Sequence, residues 1–444
     1  MILKKLNDFQ HMLRYSILMA LLFPILTSAK VLDIHHWVTS QGTPVYFVET
    51  KQVPMLVVDI AFDAGSGRDD FLPGIAFLTN ALLNKGNAGL TAKQIAEGFE
   101  NIGARYGYSV TPDMAILELK TTTENLPEAL VNFTKILKPD FPLSAFKQEK
   151  KQQQMAIAQN KEIPDAIAQD ALYTAIYPHH PYGRPVLGIQ ASVERIQHQD
   201  IKSFYQRYYT ARNAVLSLSG DIDLKTAKKI AEQITREIPV GEKAKPLPKA
   251  LPESKSIQED ISYPSEQTTI ELGQVGISRD DPDYFPLMVG NYTLGGGTLV
   301  SLLSTEIREK RGLTYNISSY FYPMAAQGPF IVSLATRTEK SKEALQLTKK
   351  VLEEFVSHGP SSSELKAAKQ FINGNFTLRF ETNDAIAEAL INMGFYQLPL
   401  DNFDTYLSRI NAVTSEQVKM AFQKHIHPNQ MMIITVGKEP SKDV

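Results

Sequence analysis

Short apolar runs and segments of helical period follow one another along the chain without strict alternation. Strands are predicted at 57–62, 106–110 and 114–121, and helices at 74–83 and 92–102. The two later strands flank Thr111, Pro112 and Asp113, which favour a turn, so they are predicted to form a hairpin. This mixture of elements predicts an α+β fold with helices packed on one face of a largely antiparallel sheet.

The same order of elements occurs twice in the sequence. Residues 201–220 match 418–437, and each segment reads as an amphipathic helix, a polar turn and an apolar strand that ends at glycine. Two further pairs are the helical segments 128–137 and 343–352 and the Arg-Asp-Asp motifs 68–70 and 279–281. The three pairs lie 217, 215 and 211 residues apart. They predict two homologous domains that arose by duplication, each a mainly antiparallel β-sheet packed with helices.

A proline-rich stretch separates the two repeats. Residues 238–256 contain four prolines, which exclude a helix or a central strand, so this segment is predicted to be an extended linker. The predicted organisation is an N-terminal domain at 30–238, a linker at 239–258 and a C-terminal domain at 259–444.

The first 29 residues have the composition of a secretory signal. Basic residues precede an apolar run at 16–26, and small residues up to Ala29 follow it. The run is too short to span a bilayer comfortably as a permanent helix. We therefore predict that 1–29 is a signal peptide cut after Ala29, and that the protein is exported to the periplasm without stable membrane insertion. The alternatives are an uncleaved anchor and a buried first helix.

The overall composition is that of a folded soluble protein. Hydrophobic residues make up 43% of the 444 residues and charged residues 21%. The 46 Lys and Arg nearly balance the 48 Asp and Glu, so no electrostatic signal for nucleic acid is present. The chain has no cysteine, which excludes disulfides, thiolate zinc sites and cysteine nucleophiles.

The segment from Gly74 to Gly86 resembles the active-site helix of the insulinase/pitrilysin peptidases, the inverted zincins. The helix of that family carries H-x-x-E-H, with two histidines for zinc and a glutamate that activates water. The three corresponding positions here are Phe77, Asn80 and Ala81. Phenylalanine and alanine cannot bind a metal, and asparagine is a poor general base. The resemblance therefore implies a degenerate zinc site in the first half and no metal in this chain.

No other residues supply the missing ligands. The later helix at 144–161, where the family places a further carboxylate, has none at 156–158, and Glu149 is predicted to be a solvated helix charge. His179 and His180 are adjacent and would point in opposite directions in extended backbone, so they are interpreted as loop structure. His425 and His427 are interpreted as ordinary polar surface residues.

The second half contains Leu294-Gly-Gly-Gly followed by Glu306-Ile-Arg-Glu-Lys-Arg-Gly-Leu-Thr-Tyr315, which resembles the Arg/Tyr motif of the same family. The resemblance implies that Arg308 orients the peptide backbone and that Tyr315 stabilises the oxyanion of the tetrahedral intermediate. From the residues alone, Arg308 could instead neutralise a helix C-terminus, and Tyr315 could be a half-buried strand residue. Arg311 is an alternative partner for a nearby acid. The glycine run lacks the ending of a phosphate loop and is expected to permit close backbone packing at the start of a helix.

The resemblance covers nearly all of the chain after residue 30 and implies a mitochondrial-processing-peptidase-like fold. It implies the zinc-less subunit of a heterodimeric peptidase whose partner is a homologue with H-x-x-E-H and its zinc. The substrate would then be a peptide, and Arg308 and Tyr315 would assist the partner's site. Two alternatives remain, a purely structural subunit and a peptide-binding protein with no role in hydrolysis. A lone active enzyme has the least support, and the sequence does not decide between a homodimer and a heterodimer.

Overall fold

The computed structural model describes residues 30–87, 89–252 and 255–438, with one large sheet in each half of the chain. The predicted signal peptide lies outside the described residues. The strands of the first half are Ile34–Val38 (β1), Pro44–Glu49 (β2), Met55–Phe62 (β3), Gly86–Asn87 (β4), Leu90–Thr91 (β5), Arg105–Val110 (β6), Ala115–Thr122 (β7) and Ala214–Gly220 (β8). The first sheet has the order β1-β2-β8-β3-β7-β6, and β4 and β5 pair separately. Only β2 and β8 are parallel in the first sheet.

The second sheet repeats this arrangement. Its strands are Gln258–Ser262 (β9), Gln267–Val275 (β10), Thr314–Phe321 (β11), Pro329–Arg337 (β12) and Met432–Gly437 (β13). They have the order β11-β12-β10-β13-β9, with a single parallel pair, β13 and β9. The four strands β6-β7-β3-β8 of the first sheet and β11-β12-β10-β13 of the second follow the same spatial order. The predicted duplicated α+β fold with mainly antiparallel sheets is confirmed.

Helices cover both sheets. In the first half they are Ile75–Leu82 (α1), Ala92–Glu100 (α2), Leu126–Ile136 (α3), Leu143–Asn160 (α4), Pro164–Ile176 (α5), Gln190–Arg195 (α6), His198–Tyr208 (α7) and Leu224–Arg236 (α8). In the second half they are Tyr284–Asn291 (α9), Ser341–His358 (α10), Ser362–Asn375 (α11), Asn383–Phe395 (α12), Asn402–Ala412 (α13) and Ser415–His425 (α14). Two π-helical turns, Tyr292–Gly296 and Ser304–Glu309, follow α9.

The apolar pattern explains these elements. In α8, Ala227, Ile230 and Ile234 recur every three or four residues and are buried. Asp223 begins this helix because its Oδ1 accepts the N–H of Thr226 at 2.7 Å. In β7 the side chains alternate between buried and half-buried, as expected for a strand with one face on the core. The predicted hairpin and the predicted helices at 74–83 and 92–102 are present within two residues of their bounds.

Each repeat ends at a glycine because the neighbouring strand approaches closely. A Cβ on Gly220 would lie 2.2 Å from the carbonyl oxygen of Met55, and the φ of Gly220 is +156°. A Cβ on Gly437 would lie 2.5 Å from Oγ1 of Thr268. No other residue type fits either position without moving the central strand beside it.

The two halves exchange one helix each. Helix α5 of the first half packs on β10 and β13 of the second sheet, where Leu172 and Ile176 fill the space above Gly273. Asp165 at the start of α5 accepts a hydrogen bond from Thr269 Oγ1 at 2.7 Å. This face of the second sheet is therefore buried by a helix that the first half provides.

Helix α12 of the second half does the same for the first sheet. It packs on β8, β3 and β2, and Ser217 Oγ donates to its Ala387 carbonyl at 3.0 Å. Asp384 lies near its start and is 2.6 Å from Lys120 Nζ. Asp165 and Asp384 are 219 residues apart, so α5 and α12 occupy equivalent positions in the duplicated fold. Neither half can bury both faces of its sheet without the other.

The connection between the halves is extended. Residues 239–252 and 255–257 form neither helix nor strand. The connection is held against both halves, because His180 Nε2 lies 2.9 Å from the carbonyl of Pro248 and the N–H of Ala250 donates to Gln327 Oε1 at 3.0 Å. The exact domain bounds remain a prediction, since the exchanged helices cross them. Within the described part of the chain, no helix combines the length and the apolar character needed to cross a membrane.

Candidate functional site

The start of α1 is fixed by Asp69. Its two carboxylate oxygens accept the N–H groups of Gly74 and Ala76 at 2.7 and 2.9 Å. These are N–H groups that a helix leaves without a partner at its start. Gly74 has a φ of +96°, and a Cβ there would lie 2.6 Å from the carbonyl oxygen of Leu187. The helix that resembles the family's zinc helix thus has a fixed position and direction.

The three degenerate positions on α1 have structural roles or none. Asn80 is fully buried; its Nδ2 donates to the Ser109 carbonyl at 2.9 Å and its Oδ1 accepts from the Tyr209 hydroxyl at 3.1 Å. Ala81 is buried and Phe77 is half-buried. The amide at position 80 therefore links α1 to strand β6 and to the helix end at Tyr209. It is not placed or equipped to activate a water molecule.

The carboxylate nearest to this helix is already paired. Glu149 of α4 is 7% exposed, and its Oε1 lies 3.2 Å from Nζ of Lys85. The prediction that Glu149 is a solvated helix charge is wrong, because this face of α4 packs against the end of α1. One turn later, Gln153 Nε2 donates to the carbonyls of Gly74 and Leu187 at 3.0 and 2.8 Å. The tetrahedral zinc site of the family cannot be built from Phe77, Asn80 and Ala81 with a Glu149 that is paired with Lys85.

The second half contains the same link to an edge strand. Asn291 is the last residue of α9; its Nδ2 donates to the Ser319 carbonyl at 2.9 Å and its Oδ1 accepts from Ser319 Oγ at 2.6 Å. Asn80 and Asn291 are 211 residues apart, the spacing of the Arg-Asp-Asp motifs. The first half thus has, at the position of the family's glutamate, the asparagine that the second half uses to hold its edge strand. This spacing was the signal by which the sequence could have revealed the role of Asn80.

The glycine run after α9 permits close packing, as expected. A Cβ on Gly295 would lie 2.4 Å from Ser319 Oγ and 2.6 Å from its backbone nitrogen. The contact is made at the end of α9 against β11 and not at the start of a helix, where it was predicted. The π-helical turn therefore lies directly on the edge strand that carries Tyr315.

Arg308 and Tyr315 lie on either side of a tight turn. Arg308 is in the π-helical turn Ser304–Glu309, and Gly312 reverses the chain with a φ of +61° before β11 begins. Within the described residues, neither the Arg308 guanidinium nor the Tyr315 hydroxyl forms a hydrogen bond or an ion pair. Lys310 and Arg311 instead bind Glu306, at 2.5 and 3.1 Å. Arg308 therefore remains available for another group.

Tyr315 projects into solvent. Its side chain is 87% exposed, so the alternative of a half-buried strand residue is wrong. The cause is an irregularity in the pairing of β11 with β12 between Thr314 and Ile317. Thr314 Oγ1 lies at this irregularity, where its single hydroxyl hydrogen can be donated to the carbonyl of Ala335 at 2.6 Å or of Asn316 at 2.7 Å, and it accepts the N–H of Asn316 at 3.2 Å.

The Arg/Tyr pair belongs to the second half of the chain, and the degenerate helix α1 belongs to the first. No hydrogen bond or ion pair among the described residues joins Arg308 or Tyr315 to α1. The edge strands β6 and β11 approach one another at their C-terminal ends, where Val110 and Tyr320 line a common cavity. Tyr315 lies five residues before Tyr320, about 16 Å away along an extended strand.

Asp113 joins the two halves beside this cavity. It is 3% exposed, and its Oδ1 accepts from the Tyr182 hydroxyl. Its Oδ2 accepts from the N–H of Ala325 at 2.9 Å and from the Tyr396 hydroxyl at 3.0 Å. Burial raises the pKa of Asp113, although these donors oppose the shift. The sequence placed Asp113 correctly in a turn, but its partners in the second half could not be inferred from it.

His180 and His425 both make contacts that hold the fold together. His180 is buried, its Nδ1 accepts the N–H of Tyr182 at 3.2 Å, and burial lowers its pKa, which agrees with its interpretation as loop structure. His425 is not an ordinary surface residue as predicted. Its Nε2 lies 2.9 Å from Oδ2 of Asp283, which Lys424 also contacts at 2.6 Å. Asp281 Oδ1 lies 3.8 Å from the same histidine nitrogen, and Lys424 supplies positive charge beside the two acids, so ion pairs hold this cluster together.

The family and its relatives can be compared with this geometry. Residues 45–190 match the sequence profile described as Insulinase (Peptidase family M16), and residues 195–372 match the one described as Peptidase M16 inactive domain. The crystal structure of a peptidase M16 inactive domain from Pseudomonas fluorescens has a TM-score of 0.89 to this chain at 36% sequence identity. The match covers 93% of this chain and 99% of that chain.

Two curated relatives extend the match. A Helicobacter pylori protein named "Non-peptidase homolog YmxG" is 26% identical over 416 residues, which cover 91% of this chain and 94% of that protein. A Bacillus subtilis protein named "Uncharacterized zinc protease YmxG" is 24% identical over 390 residues, covering 87% of this chain and 94% of that protein. The matched relatives therefore carry both peptidase and non-peptidase names.

Proposed function

This chain belongs to the insulinase family of peptidases, family M16, and we propose that it is the zinc-less subunit of an exported heterodimeric metallopeptidase. It is an inactive homologue, with the peptidase fold but not the zinc-binding residues of the active members. The observation that carries the proposal is the state of the Arg/Tyr pair. Tyr315 is exposed, Arg308 has no acidic partner among the described residues, and no hydrogen bond or ion pair found there joins either residue to the degenerate helix.

Such a pair is suited to a substrate that a second chain holds. The Tyr315 hydroxyl would donate to the oxyanion that forms when the peptide carbonyl is attacked, and the Arg308 guanidinium would bind neighbouring peptide carbonyls. The proposed partner is a homologue that retains H-x-x-E-H, and the zinc ion belongs to that partner. The role of this chain is to bind, orient and stabilise the charge on the substrate.

The first sheet offers an edge to which a peptide can add as a strand. Within the part of the chain that the structure describes, strand β6 pairs with β7 and has no strand on its other side. The N–H of Thr111 donates to Met114, so alternation along the pair leaves the backbone groups of Tyr106, Tyr108 and Val110 pointing away from β7. An extended peptide can bind to these groups. This edge supports a peptide as the substrate class.

The location and the partner are part of the same proposal. The basic, apolar and small-residue segments at 1–29 support export to the periplasm. The near-neutral charge gives no support to nucleic acid as a partner. An adjacent reading frame that encodes an intact H-x-x-E-H chain would identify the candidate partner.

The test is turnover by the reconstituted pair. Wild-type chain, Tyr315→Phe and Arg308→Ala are each mixed with the zinc-bearing partner, and kcat/KM is measured on an unstructured peptide. We expect a loss of about 10²-fold or more for Tyr315→Phe, mainly in kcat, because it removes one donor to the oxyanion. For Arg308→Ala we expect a rise in KM in addition.

Arg311→Ala is the matched control, because Arg311 lies one turn from Arg308 but pairs with Glu306. Its turnover should stay within about twofold of wild type, within the range of ordinary surface changes. Size-exclusion chromatography establishes that each variant still forms the dimer. Unchanged turnover for both Tyr315→Phe and Arg308→Ala, with the dimer intact, would reject the proposal in favour of a structural or peptide-binding protein.

A further inference from the structure

A cavity of about 560 Å³ lies where the two halves meet. Its walls come from the turn after β6, the end of α4, the helix α5, the segment 182–189 before α6 and the end of β11. The volume is within the range of pockets that bind small molecules or side chains. The cavity does not include Arg308, Tyr315 or the degenerate positions of α1, so it is a separate feature of the molecule.

Tyrosines and aliphatic residues dominate the walls of this inter-half cavity. Tyr173 of the first half faces Tyr320 and Tyr322 of the second, and Val186 and Leu187 contribute aliphatic surface. Among the described residues, the hydroxyls of these three tyrosines make no hydrogen bond. Burial raises the pKa of each of them, so all three stay protonated at neutral pH.

The charged groups of the walls do not select a charged ligand. Two of them are basic, Lys161 and Arg184, and one is acidic, Asp170. Arg184 is already engaged, because its guanidinium donates to the carbonyl of Asp70. An apolar group with hydrogen-bonding atoms around it is therefore the chemistry that these walls match.

The edge of β6 leads directly into the cavity. Val110 is the last of the three residues whose backbone groups face away from β7, and it is also part of the cavity wall. Thr111 and Pro112 continue the wall. A peptide paired with Tyr106 and Tyr108 would therefore bring its next residue to the cavity mouth, because strand residues advance by about 3.3 Å each.

We propose that the inter-half cavity binds a large apolar side chain of an extended peptide whose backbone pairs with β6. The inference rests on the proposed function, since it names the class of peptide that this chain handles. The aliphatic and aromatic walls bury the side chain, and the free hydroxyls of Tyr173, Tyr320 and Tyr322 donate to carbonyls of the peptide beside it. Both halves contribute walls, so the pocket exists only in the assembled chain.

The experiment measures peptide binding to the full chain without any partner. Two fluorescently labelled decapeptides of Ser and Thr are compared by anisotropy, one with a single central Phe and the other with Ser at that position. We expect the Phe peptide to bind about 10-fold to 100-fold more tightly, which corresponds to burial of one large apolar side chain. Equal affinity of the two peptides would overturn the proposal.

Two variants test whether the preference for the Phe peptide arises in the inter-half cavity. Val186→Trp fills the cavity, and Tyr320→Ser removes one aromatic wall and its hydroxyl. Both should reduce the preference for Phe to less than about threefold, since the side chain loses its buried contacts. Met420→Ser is the control, because Met420 is 61% exposed on α14 and does not line the cavity. A Phe preference that survives in both folded cavity variants would also overturn the proposal.

The outcomes separate this inference from the proposed function. If Tyr315→Phe leaves turnover by the reconstituted pair unchanged while the cavity variants lose the Phe preference, the subunit role fails and the pocket stands. If turnover depends on Tyr315 but no Phe preference exists, the subunit role stands and the pocket is rejected. Thermal unfolding of each cavity variant establishes that the chain is folded before binding is measured.

Discussion

The two halves share a scaffold and differ in what they add to it. In both, an asparagine at the end of the equivalent helix segment holds an edge strand, Asn80 on Ser109 and Asn291 on Ser319. After Asn80 the regular helix α1 ends at Leu82, and the short strands β4 and β5 follow. After Asn291 it forms π-helical turns and a glycine run, and then exposes Arg308 and Tyr315. The asparagine link is thus common to both halves, whereas Arg308 and the exposed Tyr315 lie in a segment where the two halves differ.

The largest expected effect tests whether the two asparagines are equivalent. Asn80→Asp and Asn291→Asp each replace a buried amide donor with a carboxylate that faces a carbonyl oxygen. Each should lower the free energy of unfolding by about 3–5 kcal/mol, because the charge is buried without a partner. Chemical denaturation measures both.

The control for this pair is Asn101→Asp, since Asn101 is exposed after α2. Its effect should stay within about 0.5 kcal/mol. A large loss at only one of the two buried positions would show that the amide links are not equivalent, and the comparison between the halves would fail at this point.

An intermediate effect on stability is expected at two buried acids, Glu271 and Asp59, which lie on the strands that the exchanged helices cover. Glu271 on β10 is 5% exposed; burial, followed by the charge of Asp165, raises its pKa to about 7. The folded state therefore holds this proton more tightly than the unfolded chain, whose value is near 4.5. Stability contributed by the protonated form is complete below about pH 4.5 and is lost as the pH rises to about 7.

Glu271→Gln should remove this loss and stabilise the protein by about 2 kcal/mol at pH 8, with little change at pH 4.5. Asp59, the equivalent acid on β3 below α12, also has a raised pKa because of burial, followed by Glu118. Asp59→Asn should therefore change stability with pH in the same direction. Denaturation at the two pH values checks both, and a variant that gains equally at pH 4.5 and pH 8 would contradict the titration.

The smallest expected effect on stability concerns the Arg/Tyr pair of the second half, Arg308 and Tyr315. Tyr315→Phe and Arg308→Ala should change the free energy of unfolding by less than about 0.5 kcal/mol, because neither group has a partner within the described residues. Tyr396→Phe is the comparison, since its hydroxyl donates to buried Asp113 at 3.0 Å, and it should cost about 1 kcal/mol. Thermal unfolding distinguishes the two cases, and a clear destabilisation by Tyr315→Phe would assign that residue to the scaffold.

Local patterns in the sequence predicted the elements well, because periodicity and turn residues act over a few positions. The hairpin at Asp113 and the helix that begins at Gly74 are examples. The sequence did not show that Glu149 is buried, because its partner Lys85 lies 64 residues earlier and the contact depends on how α4 packs on α1. The same holds for His425, which meets Asp283 across the fold.

The candidate site was predicted by residue but not by environment. The resemblance selected Arg308 and Tyr315, whereas the exposure of Tyr315 depends on the strand irregularity at Thr314, for which the sequence has no clear signal. The amide link of Asn80 was missed, since an asparagine in place of a glutamate was interpreted only as a loss. Its role follows from tertiary contacts with Ser109 and Tyr209.

The helix exchange also has a consequence for the order of folding. The face of the first sheet that includes Tyr46 and Val215 is covered by α12, which ends at Phe395, so the ribosome must synthesise most of the chain before this face is buried. Contacts of such long sequence separation form slowly. Until they form, an apolar sheet surface is open to aggregation, and a chaperone that holds the nascent chain would protect it.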